Sequence, residues 1–161
     1  MAGYLKIGDI VGECKDKGHE DWIELLSVSQ GVSRPMKAGA SSSTRNRASA
    51  DLGDVVMVKE LDASTPKLIQ AICDGTTFPE VTIDLCTSAG GGERIPYMKW
   101  VLKEARVTSY DVSGASSDGA VPTETLALNY EEVNWTYDKL DSSGTSQGKV
   151  EATWRVPQGS E

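Results

Sequence analysis

Apolar side chains alternate with polar ones at a period of two along several separate segments of the chain. In one segment Val81, Ile83 and Leu85 alternate with polar residues, and near the other end Val150 and Trp154 do the same. Successive side chains of a β-strand point to opposite faces, so this pattern is typical of strands with one apolar face. The 161 residues are thereby predicted to form seven or eight strands.

An early segment departs from this simple alternation. Between Asp16 and Ser33, the residues Trp22 and Val28 have one parity and Ile23 has the other, so both faces of the predicted strand are partly apolar. We interpret it as a central strand with a core on one side and a second surface on the other. The predicted strands are, in order, Tyr4 to Ile7, Ile10 to Glu13, this early strand, Asp54 to Leu61, Phe78 to Thr87, Tyr97 to Tyr110, Thr123 to Tyr137 with a bulge at Glu131 and Glu132, and Val150 to Val156.

One helix is predicted, at about residues 65–74. Thr65 is placed to cap its first amides, and Pro66 suits the first helical position, where a missing amide costs nothing. Gly75 supplies the left-handed residue that ends a helix. Strands in hairpin order with a single helix predict a mainly β fold, either a closed antiparallel barrel or two packed sheets.

Length and charge narrow the class of protein. A chain of this length is expected to form one domain, residues 1–161, with its own core. The formal net charge of -8 argues against nucleic acid or an anionic membrane as partner. The N-terminus lacks a basic segment followed by an apolar run, so neither a signal peptide nor membrane insertion is expected.

Three cysteines, Cys14, Cys73 and Cys86, are interpreted as free buried thiols.

The stretch from Arg34 to Gly53 is rich in Ser, Ala, Gly and Arg and is predicted to be a loop. Loops of that length inside a compact domain often serve a partner, so this one is the best candidate for an intermolecular contact. A surface loop without a role is the alternative. The candidate contact residues are Arg34, Lys37, Arg45, Asn46 and Arg47.

Residues that could carry catalysis are few. His19 is the single histidine, and no neighbouring nucleophile or positioned water is indicated, so a structural or surface role is favoured. Four tryptophans on separate predicted strands are interpreted as core aromatics rather than a ligand site. No catalytic residue, cofactor site or metal site is predicted. A hydrolase using His19 with a carboxylate, and a monomeric barrel that binds a small ligand, remain as alternatives.

Several segments together resemble the Hcp family, the haemolysin-coregulated tube subunits of bacterial type VI secretion systems. The segments include YLKIGDIVGECKDKGHEDWIELLSVSQGV from Tyr4, SADLGDVVMVKELDASTPKLIQAICDG from Ser49, and LALNYEEVNWTYDKLDSSGTSQGKVEATWRV from Leu126. After its Leu-Asn-aromatic motif the family commonly has a basic residue, where this chain has Glu131 and Glu132. The resemblance extends almost from end to end.

This resemblance implies a two-sheet antiparallel β-barrel with one flanking helix, assembled as six-membered rings that stack into a tube. It implies a structural rather than enzymatic role, with a spike protein at the tube tip, a contractile sheath outside and effector proteins in the lumen. It also implies synthesis in the bacterial cytoplasm without a signal peptide, followed by export through the type VI apparatus to the medium or a target cell.

Overall fold

The computed structural model describes residues 2–35, 50–114 and 119–156, which form eleven strands and one helix. The strands are β1 Ala2–Ile7, β2 Ile23–Leu25, β3 Ser27–Ser29, β4 Val32–Ser33, β5 Asp51–Leu52, β6 Val55–Glu60, β7 Phe78–Ser88, β8 Arg94–Ser113, β9 Thr123–Asn129, β10 Glu132–Leu140 and β11 Ser146–Arg155, and the helix α1 is Thr65–Asp74. The mainly β prediction with one helix at 65–74 is confirmed.

Two antiparallel sheets share strand β8. The first sheet has the order β2-β1-β7-β8-β10-β11, and the second has the order β8-β9-β6-β3, while β4 and β5 form a separate two-stranded ribbon. The first part of β8 pairs with β10 up to Lys103, and the later part pairs with β9 from Arg106 onward. Glu104, between them, has a left-handed φ of 49°, so the strand changes sheets at this residue.

The barrel closes through the junction of β2 and β3. The amide of Leu26 donates to the carbonyl of Val58 at 2.7 Å, so consecutive short strands join the first sheet to the second. Ile23 and Leu25 face the core before this junction and Val28 packs on it afterwards. The early apolar pattern therefore reflects a change of phase at a bend. Because β2 is the outer strand of the first sheet, the prediction of one central strand was wrong.

Residues 8–22 form a loop over the outer face of the first sheet. The predicted strand from Ile10 to Glu13 is absent there, because the backbone turns at Gly8 (φ 53°) and packs against Trp22. A Cβ atom added to Gly12 would lie 2.3 Å from the Trp22 carbonyl oxygen, so only glycine permits this approach. Under the loop, Cys86 and Asp84 are buried, so both faces of β7 are covered over part of its length.

The start of α1 differs from the predicted cap. Ser64 is the residue before the helix, and its hydroxyl binds the Asp62 carboxylate instead of a helix amide. Thr65 is the first helical residue, and its hydroxyl accepts the Asp62 amide at 3.2 Å. At the other end Gly75 adopts a left-handed φ of 65° as predicted. Leu68 is buried, and this side of the helix packs on the barrel core.

A buried ion pair crosses the second sheet near the start of α1. Lys59 on β6 lies opposite Glu124 on β9, and neither side chain is exposed. The Lys59 ammonium also donates to the carbonyl oxygen of Glu60 at 2.8 Å and lies 3.0 Å from the Asp62 carboxylate. Tyr110 donates to the second Glu124 oxygen at 2.6 Å, and burial, then this bond, raises the pKa of Tyr110 to about 12. No buried polar side-chain atom of Lys59, Tyr110 or Glu124 is therefore left without a partner.

Candidate assembly surface

The last hairpin, β10 and β11, extends the first sheet beyond the barrel. In register, Val133, Trp135 and Tyr137 of β10 lie opposite Trp154, Ala152 and Val150 of β11. Directly opposed residues of an antiparallel pair share a face, so all six side chains are on one side of the sheet. This is the side that faces the barrel core, because Val133 of β10 is part of that core.

Exposure rises along this shared face as it leaves the barrel. Val133 is fully buried, but Tyr137 is 49% exposed, Trp154 45% and Val150 72%. Tyr97 packs edge to face on Tyr137, with ring centroids 6.4 Å apart. We call Tyr97, Tyr137, Val150 and Trp154 the overhang. It is a continuation of the core face that no other described segment covers, and large exposed apolar groups of this kind mark interaction sites.

Strand β11 also has an open backbone edge. Among the described residues it pairs only with β10, and all ten of its residues are exposed. Unpaired edges of this length readily accept another strand. The overhang therefore combines an apolar face with a free edge.

A polar hub holds the ribbon of β4 and β5 on the barrel beside the overhang. The side-chain oxygen of Gln30 accepts the indole N–H of Trp100 at 3.0 Å and of Trp135 at 2.9 Å. Its amide nitrogen donates to the Tyr130 hydroxyl at 2.6 Å, and that hydroxyl donates to the carbonyl of Gly53 at 2.8 Å. The hub fixes both chain segments at one end of the ribbon, since Gln30 precedes β4 and Gly53 follows β5. Sequence reasoning missed Gln30 because a single polar residue gives no pattern.

The candidate contact loop leaves from this ribbon. Arg34 directly follows β4 and is exposed. The other candidate residues, Lys37, Arg45, Asn46 and Arg47, lie outside the described residues. The structure thus places Arg34 at the end of β4, and the role of the loop stays a prediction from sequence.

His19 belongs to the loop 8–22, and its side chain is buried in a cluster between the loop and the first sheet. Its Nε2 atom is 3.0 Å from Oδ2 of Asp84, its ring stacks on Tyr4 at 4.2 Å, and Trp22 packs edge-on at 4.8 Å. Both the His19 and Asp84 side chains are only 4% exposed. Burial raises the pKa of the Cys86 thiol, whose sulfur is 3.9 Å from His19, to about 12. A buried histidine beside an un-ionised thiol has a structural role, as the sequence favoured, and is not placed to reach a substrate.

The described residues also bring Cys14, Asp16 and Glu24 together, with one ligand atom of each within 4.8 Å of the others. The Asp16 carboxylate already accepts the hydroxyl of Tyr4, and the Cys14 sulfur accepts the Asp16 amide at 3.4 Å. Burial raises the pKa of the Cys14 thiol, which disfavours the thiolate that a metal would need. The three groups are better explained as the hydrogen-bonded base of the loop.

Two expectations about apolar residues need correction. Cys14 and Cys86 are free and buried as predicted, but Cys73 is exposed on α1. Trp100 and Trp135 pack against the core, whereas Trp154 is substantially exposed, so the interpretation of all four tryptophans as core residues was wrong for it. The alternation around Trp154 shows that a face is apolar, but not whether the chain itself covers that face.

Comparison with known proteins agrees with the resemblance. The family model described as "Type VI secretion system effector, Hcp" matches residues 4–137. Protein hcp1 of Pseudomonas aeruginosa is 30% identical over 156 residues, which cover 96% of this chain and 94% of that protein. A solved type six secretion system protein superposes with a TM-score of 0.87 at 28% identity, covering 96% of this chain and 95% of that one. Hcp1 of Salmonella typhimurium, at 21% identity and a TM-score of 0.72, has the same fold; the match covers 96% of this chain and 93% of that one.

No helix in the described part of the chain has the length and apolar character needed to cross a bilayer. The matched region covers most of the chain and spans both sheets and the helix. The chain therefore belongs to the Hcp family of type VI secretion system proteins.

Proposed function

We propose that this chain is a tube subunit that assembles into six-membered rings, and that the rings stack and carry effector proteins in their lumen. Within the secretion system, the tube has a spike protein at its tip and a contractile sheath around it. The chain is made in the cytoplasm and leaves the cell through the apparatus. Its contribution is structural, with no catalytic step of its own.

The observation that supports this proposal best is the overhang. An isolated barrel would gain nothing from displaying Val150 at 72% exposure beside a half-exposed tryptophan. Burying such groups contributes roughly 25 cal/mol per Å² of apolar area, so contact with another copy is favourable. The filled barrel interior argues against the alternative of a small-ligand carrier, because core side chains such as Leu5, Met57 and Leu126 occupy it.

Ring formation is the direct test. Purified protein is expected to elute as a particle of about six times the mass of the single chain, and to give annular particles in negative-stain images. Light scattering coupled to size-exclusion chromatography measures the mass. A monodisperse single chain at every workable concentration, with no annular particles, would contradict the proposal.

The loop that leaves the ribbon is proposed as a second contact, between neighbouring subunits or rings. Reversing its charge with Arg45→Glu and Arg47→Glu is expected to weaken ring or tube assembly. The protein concentration needed for assembly is expected to rise at least tenfold, while the folded barrel persists. Sedimentation velocity measures assembly, and circular dichroism checks the fold. Lys67→Glu, at an exposed lysine of α1, is a control for a change of charge away from the overhang; unchanged sedimentation of the double variant would remove the loop from assembly.

A further inference from the structure

The ribbon of β4 and β5 has few contacts of its own. Among the described residues its strands pair through two residues each, Val32 with Leu52 and Ser33 with Asp51. Val32 is 55% exposed, while Leu52 packs against the barrel core. Isolated two-stranded ribbons are marginally stable in water, so the position of this one depends on what holds it to the barrel.

The polar hub supplies that attachment for both strands. Gln30 lies two residues before β4, and Gly53 directly follows β5. The hydroxyl of Tyr130 connects them, because it accepts from the Gln30 amide and donates to the Gly53 carbonyl. Burial raises the pKa of Tyr130, so its hydroxyl keeps the proton that it donates. If the ribbon moved away, this hydroxyl would lose both partners at a cost in free energy, so the hub is complete only while the ribbon is seated.

The same hub extends to the overhang through Trp135. Trp135 and Trp100 lie opposite each other on β10 and β8, so the single side-chain oxygen of Gln30 accepts both indole N–H groups. Trp135 is two residues before Tyr137 of the overhang, and side chains two apart on a strand share a face. Trp135 therefore belongs to the hub and adjoins the overhang.

Docking at the overhang would change the surroundings of the hub. A second copy seated on Tyr137 would exclude water from the neighbouring side of Trp135, which is only partly buried in the single chain. Hydrogen bonds strengthen where water is excluded, because the local dielectric falls and solvent no longer competes for the donors and acceptors. Docking would thus favour the complete hub, and with it the seated ribbon.

We propose that the hub couples two events, the seating of the ribbon on the barrel and the docking of another copy at the overhang. This inference rests on the proposed tube function and adds a regulatory link to its assembly. Coupling between two sites is reciprocal, so a seated ribbon favours docking by the same factor by which docking favours the seated ribbon. Gln30 and Tyr130 are positioning residues, since neither belongs to the overhang.

Tyr130→Phe tests the coupling through the loss of one hydroxyl. Tyr130 is 3% exposed, so it is not placed to contact a second copy itself. In dilute single chains the variant is expected to raise hydrogen exchange of the Gly53 amide, which donates to the Gly31 carbonyl, by about tenfold or more. The protein concentration needed for assembly, measured by sedimentation velocity, is expected to rise about fivefold or more.

Tyr110→Phe is the matched control. It also removes a hydrogen-bonded hydroxyl, the one that donates to Glu124, from a tyrosine outside the hub. The control is expected to lose stability while the exchange of the Gly53 amide and the concentration needed for assembly stay as in wild type. Equal weakening of assembly by the two tyrosine variants would show that assembly responds to stability alone, and would overturn the coupling.

The reciprocal effect is measured on assembled protein. Assembly of the wild type is expected to slow exchange of the Gly53 amide about fivefold or more relative to dilute single chains. The slowing is expected to be smaller in Tyr130→Phe protein at a concentration at which it assembles, because the connection from the hub to Gly53 is missing. An equal slowing in both proteins would contradict the coupling.

The outcomes separate this inference from the proposed function. Normal assembly of Tyr130→Phe beside a wild type that forms rings, or unchanged exchange of Gly53 in that variant, overturns the coupling and leaves the tube function standing. Wild-type protein that stays a single chain contradicts the tube function, and the coupling with it. If Tyr130→Phe fails a circular dichroism check of the fold, Gln30→Leu replaces it: it removes the bond to Tyr130 and both indole bonds from a half-buried position, and the same changes in exchange and assembly are expected.

Discussion

Replacing Lys59 with methionine is expected to destabilise the protein by about 3–5 kcal/mol, because the substitution leaves the fully buried carboxylate of Glu124 without its cation. Asp62 loses a partner at 3.0 Å at the same time. Equilibrium unfolding in urea, followed by tryptophan fluorescence, measures the change. A loss of that size is a large part of the stability of a domain, so expression at 37 °C is expected to fall as well.

The double variant Lys59→Met with Glu124→Leu is expected to recover most of the loss, since removing both charges of a buried pair is often neutral. Lys103→Met is the matched control: its pair with Glu80 is also between neighbouring strands but is about half exposed, and such pairs contribute about 0–1 kcal/mol. Equal losses for the two single lysine variants would show that burial of the Lys59 pair has no special weight.

Replacing His19 with leucine is expected to cost about 3–5 kcal/mol and to release the loop 8–22 from the sheet. The Asp84 carboxylate would stay buried without the nitrogen now 3.0 Å away, and its other oxygen has no hydrogen-bond partner among the described residues. Lys99, at 3.8 Å, replaces this bond only in part, because its side chain is 44% exposed. Urea unfolding measures the global effect.

Limited digestion with trypsin measures the local effect, since the loop contains Lys15 and Lys17. Every 1.4 kcal/mol of lost local stability raises the open population tenfold, so cleavage is expected to accelerate at least tenfold. Glu20→Gln changes an exposed residue of the same loop and serves as the control. Unchanged cleavage in the His19→Leu variant would mean that neither the bond to Asp84 nor the ring contacts of His19 hold the loop.

The fold was predictable where one segment obeyed one local rule. The strands β7, β9 and β11 alternate cleanly, and α1 has its proline at the start and glycine at the stop, so local physics determined their type. The loop 8–22 was mistaken for a strand in part because its residues Ile10 and Val11 are apolar. The loop is held by the packing of Gly12 on Trp22 and by the bond from His19 to Asp84, which is 65 residues away in sequence.

The candidate site was less predictable for a related reason. Gln30 and Trp135 are 105 residues apart, so the polar hub exists only after the sheets have formed. Conversely, the exposure of Trp154 depends on which part of the sheet extends past the barrel, and strand length alone does not determine that. The predicted contact loop was identified from composition, and its residues beyond Arg34 remain a sequence-based prediction.

Strand β8 has a mechanical consequence for the molecule, because it belongs to both sheets. Its twenty residues pair first with β10 in the first sheet and then with β9 in the second. Glu104 is the one residue of the strand with a left-handed backbone, and it lies where the strand changes sheets. A force along this strand loads many inter-strand hydrogen bonds in shear at the same time, because those bonds lie perpendicular to the chain. Force applied at one end of the molecule is thus shared by both sheets, and rupture requires many bonds to fail at once.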